Sequence, residues 1–245
     1  MLIRDLIKDI PVSINSDAPP DFSITGLTED SRLVSPGMLF AALAGSNVDG
    51  LAYVASALAR GASAVLIPET AQLEAPPRVV LRSPMPRRAL AMLAARFFGK
   101  QPQVVAAVTG TNGKTSVVSF LRQIWASIGR NAASLGTIGI VTERAETPLA
   151  HTTPGPVELY RLLAGLAGDG ITHLAIEASS HGLDQSRLDG VVLSAAAFTN
   201  ITRDHLDYHR TFEHYLAAKL RLFDDLLPEG ALAVAGLDRL GRVVR

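Results

Sequence analysis

The sequence has no cysteine in its 245 residues, which removes disulfides, thiolate metal sites and cysteine nucleophiles from consideration. It also lacks net charge. The 23 basic and 23 acidic side chains cancel, so no bulk field favours nucleic acid or an anionic membrane, and any anionic ligand has to be held by a local site. No stretch approaches the roughly 18 apolar residues that span a bilayer. The opening MLIRDLIKDI interrupts its apolar positions with Arg4, Asp5, Lys8 and Asp9, unlike a secretory signal, so a cytoplasmic place is expected. Internal repeats and low-complexity tracts are missing too. What remains is an ordinary globular composition, 48% apolar and 19% charged. The length exceeds the usual ~100–150 residues of one domain and predicts two.

The most informative stretch is VVAAVTGTNGKTS, Val104 to Ser116. An apolar, partly β-branched run reads as a strand buried on both faces, Gly110 and Gly113 bracket a turn, and Lys114-Thr115 opens a helix. Backbone N–H groups in such a loop converge on anionic oxygens, Lys114 adds charge at the β/γ-phosphates and the Thr115 hydroxyl suits a Mg²⁺ shell. The general phosphate-loop pattern has a glycine where this chain has Val108, so the match is partial.

Before this loop the chain reads as a small α/β unit over residues 1–101. It comprises an amphipathic helix over about 1–15, strands near 22–27, 38–43, 64–67 and 79–81, and helices near 51–60 and 86–98. Residues 102–245 alternate: strand 104–108, helix 114–128, strand about 133–141, helix 156–168, strands 172–178 and 192–198, helix 211–226 and a strand from Ala231. That alternation predicts an α/β class with a mostly parallel sheet flanked by helices and ligands at the carboxyl ends of the strands. The polar loops at those ends are Thr109–Thr115, His151–Pro154, Glu177–His181 and Thr199–His205.

Glu177 closes an apolar strand, where its carboxylate either completes a Mg²⁺ shell or caps the next turn. His205 lies with Asp204, Asp207 and His209 and reads either as a second-metal ligand or as a polar loop residue. Lys219 sits on an amphipathic helix and by pattern alone is a solvated lysine. Ser179, Gln185 and Arg187 are unspecific singly.

Together, DSRLVSPGMLFAAL, TGTNGKTS, HTTPG, EASSHGLDQSR, FTNITRDHLDYH and YLAAKLRLF resemble the Mur ligases, the ATP-dependent amino-acid ligases of peptidoglycan precursor synthesis, and among them the branch that adds the third residue. The resemblance runs from about Leu27 to Pro228, and the absent first glycine is normal in that family. It implies that Glu29, Ser31 and Ser46-Asn47-Val48 hold a uridine nucleotide in the first domain, and that Gly110, Thr111, Asn112, Gly113, Lys114, Thr115 and Ser116 bind ATP. Thr152, Thr153, Ser179, Gln185 and Arg187 would contact the muramoyl-dipeptide, with His151 beside them. Thr115, Glu177 and His205 would serve two Mg²⁺ ions, and Lys219 matches a lysine that takes up CO₂ as a carbamate and so becomes a metal ligand.

The implied substrates are UDP-N-acetylmuramoyl-L-alanyl-D-glutamate and a diamino acid, meso-diaminopimelate ahead of L-lysine, handled by a monomer without nucleic acid or membrane. Lys114, Glu177, His205 and Lys219 are the expected catalytic group. The family also has a C-terminal Rossmann-like domain that this sequence lacks, so the chain is expected to be truncated, and to bind without turning over. A folylpolyglutamate synthase, another Mur ligase and a non-catalytic nucleotide-binding module are the alternatives. The DSR…PGMLF, TTP and SSH motifs argue against the first two, and joint retention of Lys114, Glu177, His205 and Lys219 argues against the last.

Overall fold

The structure, a computed structural model, describes residues 1–15, 21–45, 49–73 and 79–236. The chain forms two compact units, Met1–Gly99 and Lys100–Arg245.

In the first unit α1 (Ile3–Ile7) leads to β1 (Ser13–Ile14), β2 (Leu27–Thr28), a 3-10 turn Ser31–Leu33, β3 (Leu39–Ala41), a second 3-10 turn Gly50–Tyr53, α2 (Val54–Ala59), β4 (Ala64–Pro68), β5 (Val80–Ser83) and α3 (Pro86–Phe98). The five-stranded sheet has the order β1-β5-β4-β3-β2; β2 to β5 run parallel and β1 is an antiparallel edge. Phe40, Val65, Ile67 and Val80 of the sheet pack with Val34, Val54 and Ala57. The helix expected over 1–15 stops at Ile7 because Lys8 leaves the helical region and Asp9 turns left-handed at φ 56°. Pro11 then prevents its resumption, and the chain passes into β1 instead.

The second unit contains β6 (Val104–Thr109), α4 (Lys114–Ser127), β7 (Ala132–Gly136), β8 (Gly139–Val141), β9 (Glu146–Thr147), α5 (Pro156–Gly168), β10 (His173–Glu177), α6 (Ser180–Asp184), β11 (Ala195–Phe198), α7 (Leu206–His209), α8 (Phe212–Arg221), a π-turn Leu222–Leu226 and β12 (Leu232–Ala235). They build a seven-stranded sheet in the order β12-β11-β6-β10-β7-β8-β9. Strands β12 to β7 pair in parallel, and β8 and β9 are antiparallel. The strand expected over about 133–141 is therefore a hairpin, reversing at Thr137-Ile138. The helix expected over 211–226 changes form at Leu222, and the short helices α6 and α7 fill stretches expected to be loops.

Sheet order decides which face each helix takes. The connection from β6 to β7 crosses β10 in one direction, and every later parallel crossover runs the other way. Right-handed crossovers then put α4 on one face and α5, α6 and α8 on the other. In agreement, α4 lies over β10 and β7, and α6 packs on α8. The loops after β6, β7, β10 and β11 all leave from the same carboxyl edge, which is where ligands sit in open parallel sheets.

Candidate functional site

β6 delivers its loop to that edge with the backbone already committed. Gly110 has φ +139°, and a Cβ there would stand 2.0 Å from Thr199 Oγ1, so only glycine fits. The neighbouring strand end fixes the loop. Thr111 N donates to Asn200 O at 2.9 Å, Asn112 N to Asn200 Oδ1 at 3.0 Å, and Asn200 Nδ2 to Asn112 O at 3.1 Å. Thr199 Oγ1 adds a bond of 2.6 Å to Asn112 O. Lys114, Thr115 and Ser116 open α4; first-turn amides have no helical acceptor, and they suit an anion.

Two lysines meet at this loop. Lys114 Nζ donates to Gly110 O and Thr111 O, each at 2.9 Å, and Lys219 Nζ donates to Gly110 O at 2.8 Å. Burial lowers the pKa of Lys114, against the pull of Glu177 and Asp204. Lys219 is only 1% exposed and lies 4.5 Å from the centre of the Tyr215 ring. Burial, and then repulsion from Lys114, bring its pKa down from 10.5 to about 7. The solvated lysine that the helical pattern describes is therefore not what the fold makes: Tyr215, Ala218 and Lys219 form the inward face of α8.

Glu177, at the end of β10, is buried. Its Oε1 accepts from Thr115 Oγ1 and from Thr137 N, both at 2.9 Å, and its Oε2 accepts from Thr137 Oγ1 at 3.3 Å. Gly136 makes room for it, since a Cβ there would stand 2.1 Å from Glu177 Oε1. Thr115 Oγ1 and the Glu177 carboxylate thus form a pair of hard oxygen donors beside the loop, a fit for Mg²⁺. Among the described residues no three His, Cys, Asp or Glu side chains converge to hold a metal unaided.

The dipeptide candidates form a second cluster on the same edge. Thr153 Oγ1 bonds Glu177 O and Ser179 Oγ, each at 3.0 Å, and Thr152 Oγ1 lies 3.1 Å from Thr137 Oγ1. Ser179 caps α6 by accepting from Gly182 N at 3.0 Å. Arg187 donates to Thr153 O and, at 2.8 Å, to Gln185 Oε1. His151 is exposed at the start of the same loop.

His205 takes a left-handed conformation, φ 51°, ahead of α7, with Nε2 3.6 Å from Asp204 Oδ2. Its ring centre is 4.9 Å from that of His181 and 6.3 Å from that of Tyr215. It therefore joins an aromatic group that also includes Tyr208 and His209. Four of these neighbours and partners escape residue-by-residue reading: Thr137, His181, Asn200 and Tyr215. Tyr215 OH lies 3.0 Å from Thr111 Oγ1. The only local signal for any of them is position at a strand end or in a shared motif, because their partners are distant in sequence.

In the first unit, Glu29 and Ser31 follow the carboxyl end of β2, with Glu29 exposed and Ser31 buried. Asp30 between them accepts from Arg32 N at 2.9 Å and pairs with the Arg32 guanidinium at 2.7 Å, which lowers its pKa. Ser46, Asn47 and Val48 lie outside the described residues.

Residues 108–243 match the Mur ligase middle domain, and residues 23–98 match the domain described as Mur ligase family, catalytic domain. The chain belongs to the Mur ligase family. Within it, the chain is 55% identical over 242 residues to the UDP-N-acetylmuramoyl-L-alanyl-D-glutamate--2,6-diaminopimelate ligase of Rhizobium meliloti (strain 1021), a match covering 97% of this chain and 49% of that protein. A solved structure of a ligase with that same name overlays with a TM-score of 0.81 at 33% identity, over 97% of this chain and 47% of the other. MurF ligase of Thermotoga maritima, solved in complex with ADP, shares the fold at a TM-score of 0.58 and 22% identity, over 88% of this chain and 46% of that one. The chain spans about half the length of the curated relatives it matches.

Proposed function

We propose that the chain is the nucleotide-binding and acyl-substrate-binding half of an ATP-dependent ligase that joins meso-diaminopimelate to UDP-N-acetylmuramoyl-L-alanyl-D-glutamate in the cytoplasm. The observation that carries this reading is the buried Glu177, which accepts from Thr115 of the phosphate loop through its carboxylate and from Thr153 of the dipeptide cluster through its backbone carbonyl. One residue thus ties the place of the phosphates to the place of the carboxylate that receives one. The names of two relatives, each a UDP-N-acetylmuramoyl-L-alanyl-D-glutamate--2,6-diaminopimelate ligase, support this choice of substrates and of the third amino acid.

An amine does not displace oxide from a carboxylate at neutral pH, so the carboxylate has to be activated. The γ-phosphoryl group of ATP passes to the γ-carboxylate of D-glutamate, giving ADP and an acyl phosphate. The amine of the diamino acid then attacks the carbonyl carbon, loses a proton and expels phosphate. Lys114 and the first-turn amides of α4 bind the phosphates, Arg187 and the Thr153–Ser179 pair orient the dipeptide, and Glu29, Ser31 and the 46–48 loop take the uridine nucleotide. Thr115 and Glu177 would hold one Mg²⁺, and His205 with a carbamate on Lys219 a second; bound there, the ions neutralise phosphate charge. A Lys219 pKa of about 7 leaves much of the amine neutral at physiological pH, the form that adds CO₂ with loss of a proton.

Calorimetric titration with UDP-N-acetylmuramoyl-L-alanyl-D-glutamate, and with the L-alanyl precursor lacking glutamate, tests the proposal. Tighter binding of the dipeptide form is expected. Preference for the precursor, or saturable binding of a folate and of neither UDP-sugar, overturns it.

A further inference from the structure

The edge of the second sheet remote from the phosphate loop carries a cleft that the ligation chemistry does not use. It has a volume of about 530 Å³ and lies between the later turns of α5 and the β8–β9 hairpin, a size that small-molecule sites commonly have. Asn131 and Ala132, where β7 begins, also line it. A strand climbs roughly 3.3 Å per residue, so the cleft lies about 13 Å along β7 from Gly136 and the ligand edge.

Both walls are built. On α5, Arg161, Leu162, Gly165, Leu166 and Asp169 recur at the spacing of one helical face. Opposite them the turn of residues 142–145 is tied to itself: Thr142 N donates to Ala145 O at 2.9 Å, and Thr142 Oγ1 accepts from Arg144 N at 3.2 Å and from Ala145 N at 3.0 Å. Ala132, Ile140 and Leu166 are buried, which makes the deeper lining apolar.

Two further observations point to a ligand. The rim carries two charges of each sign, Arg144 and Arg161 with Glu143 and Asp169. All four are exposed, and among the described residues none of them forms an ion pair. The second observation is Gly165. Glycine inside a helix weakens it relative to alanine, and neither a positive φ nor crowding calls for one here: a Cβ at this position would meet nothing within 4 Å. The missing side chain leaves its room to the cleft.

We infer that this cleft binds a small zwitterion with an apolar body between its charges, the chemistry shared by free amino acids and short peptides. A carboxylate meets the guanidinium fork of Arg144 or Arg161, an ammonium meets Glu143 or Asp169, and the apolar part lies over Ile140, Leu162 and Leu166. A ligand with charge of one sign would leave the opposite pair facing it. Arg161 and Asp169 stand about 12 Å apart along α5 at 1.5 Å per residue, and an extended residue spans roughly 3.3–3.6 Å, so two or three residues fit better than one. The inference is independent of the substrate that the ligase takes.

Calorimetric titration of the chain with L-leucine, L-leucyl-L-leucine and the N-acetylated and C-amidated forms of the dipeptide tests it. Saturable binding of the dipeptide is expected, with each blocked end costing roughly tenfold in affinity, as loss of a charge-assisted bond does. Gly165→Leu should fill the cleft and abolish binding. Arg161→Gln, a surface change that tests the site even where Gly165→Leu fails to fold, should weaken the dipeptide about tenfold and its C-amide hardly at all. Tighter binding of leucine than of the dipeptide supports the site and assigns it to free amino acids. Absence of saturable binding by all four compounds overturns the inference, as does equal affinity for the free and blocked dipeptides or binding that neither substitution alters.

Discussion

Lys114 and Lys219 place their ammonium nitrogens on one oxygen, the carbonyl of Gly110, at 2.9 and 2.8 Å. When both are protonated, two cations share a single neutral acceptor, an arrangement that an anion relieves. The repulsion between them is the second cause, after burial, of the low pKa of Lys219.

That pKa fixes a pH dependence. Between pH about 7 and the ordinary lysine value of 10.5, the unfolded chain carries a proton on Lys219 that the folded chain has released, so stability rises with pH. The contribution is complete above that range and is lost as pH falls toward 7. Urea unfolding in CO₂-free buffer between about pH 7.5 and 9.5 is expected to show this rise, and Lys219→Met to flatten it. An unchanged slope in the variant would assign the rise to another group.

Gly136→Ala puts a methyl group where the Glu177 carboxylate stands, 2.1 Å from Oε1. The carboxylate is held by three donors from Thr115 and Thr137, so it has to give up some of them. We expect a loss of roughly 1–3 kcal/mol in stability, the usual cost of overpacking. Binding of a Mg²⁺–ATP analogue should weaken with it, while binding of the metal-free nucleotide changes less. Equal loss for both forms would mean that Glu177 serves the loop's shape and not the metal.

Asn200→Ala removes both side-chain bonds to Asn112, each worth about 1 kcal/mol. A fluorescent ATP analogue should bind several-fold more weakly, with the melting temperature of the unit lowered by several degrees. Unaltered affinity would show that the loop keeps its shape without β11.

Much of this was legible in the chain itself. The limits of α3 and α5 follow from Pro86 and Pro156 at their first positions and from apolar residues at helical spacing. The loop from Gly110 to Thr115 announces its strand and helix on either side. What was lost was non-local. The β7–β8 hairpin reads as one strand because Leu135 and Ile140 continue an apolar run across the reversal, with no Asn-Gly or Asp-Gly to mark it. Lys219 reads as solvated because its burial comes from a loop 109 positions earlier in the chain, which periodicity does not register; only the family resemblance singled it out. Asn200 and Thr137 were visible as polar residues and invisible as partners, for the same reason.

Tyr215 and Lys219 stand one helical turn apart on α8 and touch consecutive loop residues, Thr111 and Gly110. The nucleotide loop is therefore gauged from α8 as well as from its own helix, at two points that move together. Whatever alters the charge of Lys219 also alters the loop that receives phosphate, and by thermodynamic reciprocity a phosphate in that loop shifts the protonation of Lys219 by the same free energy.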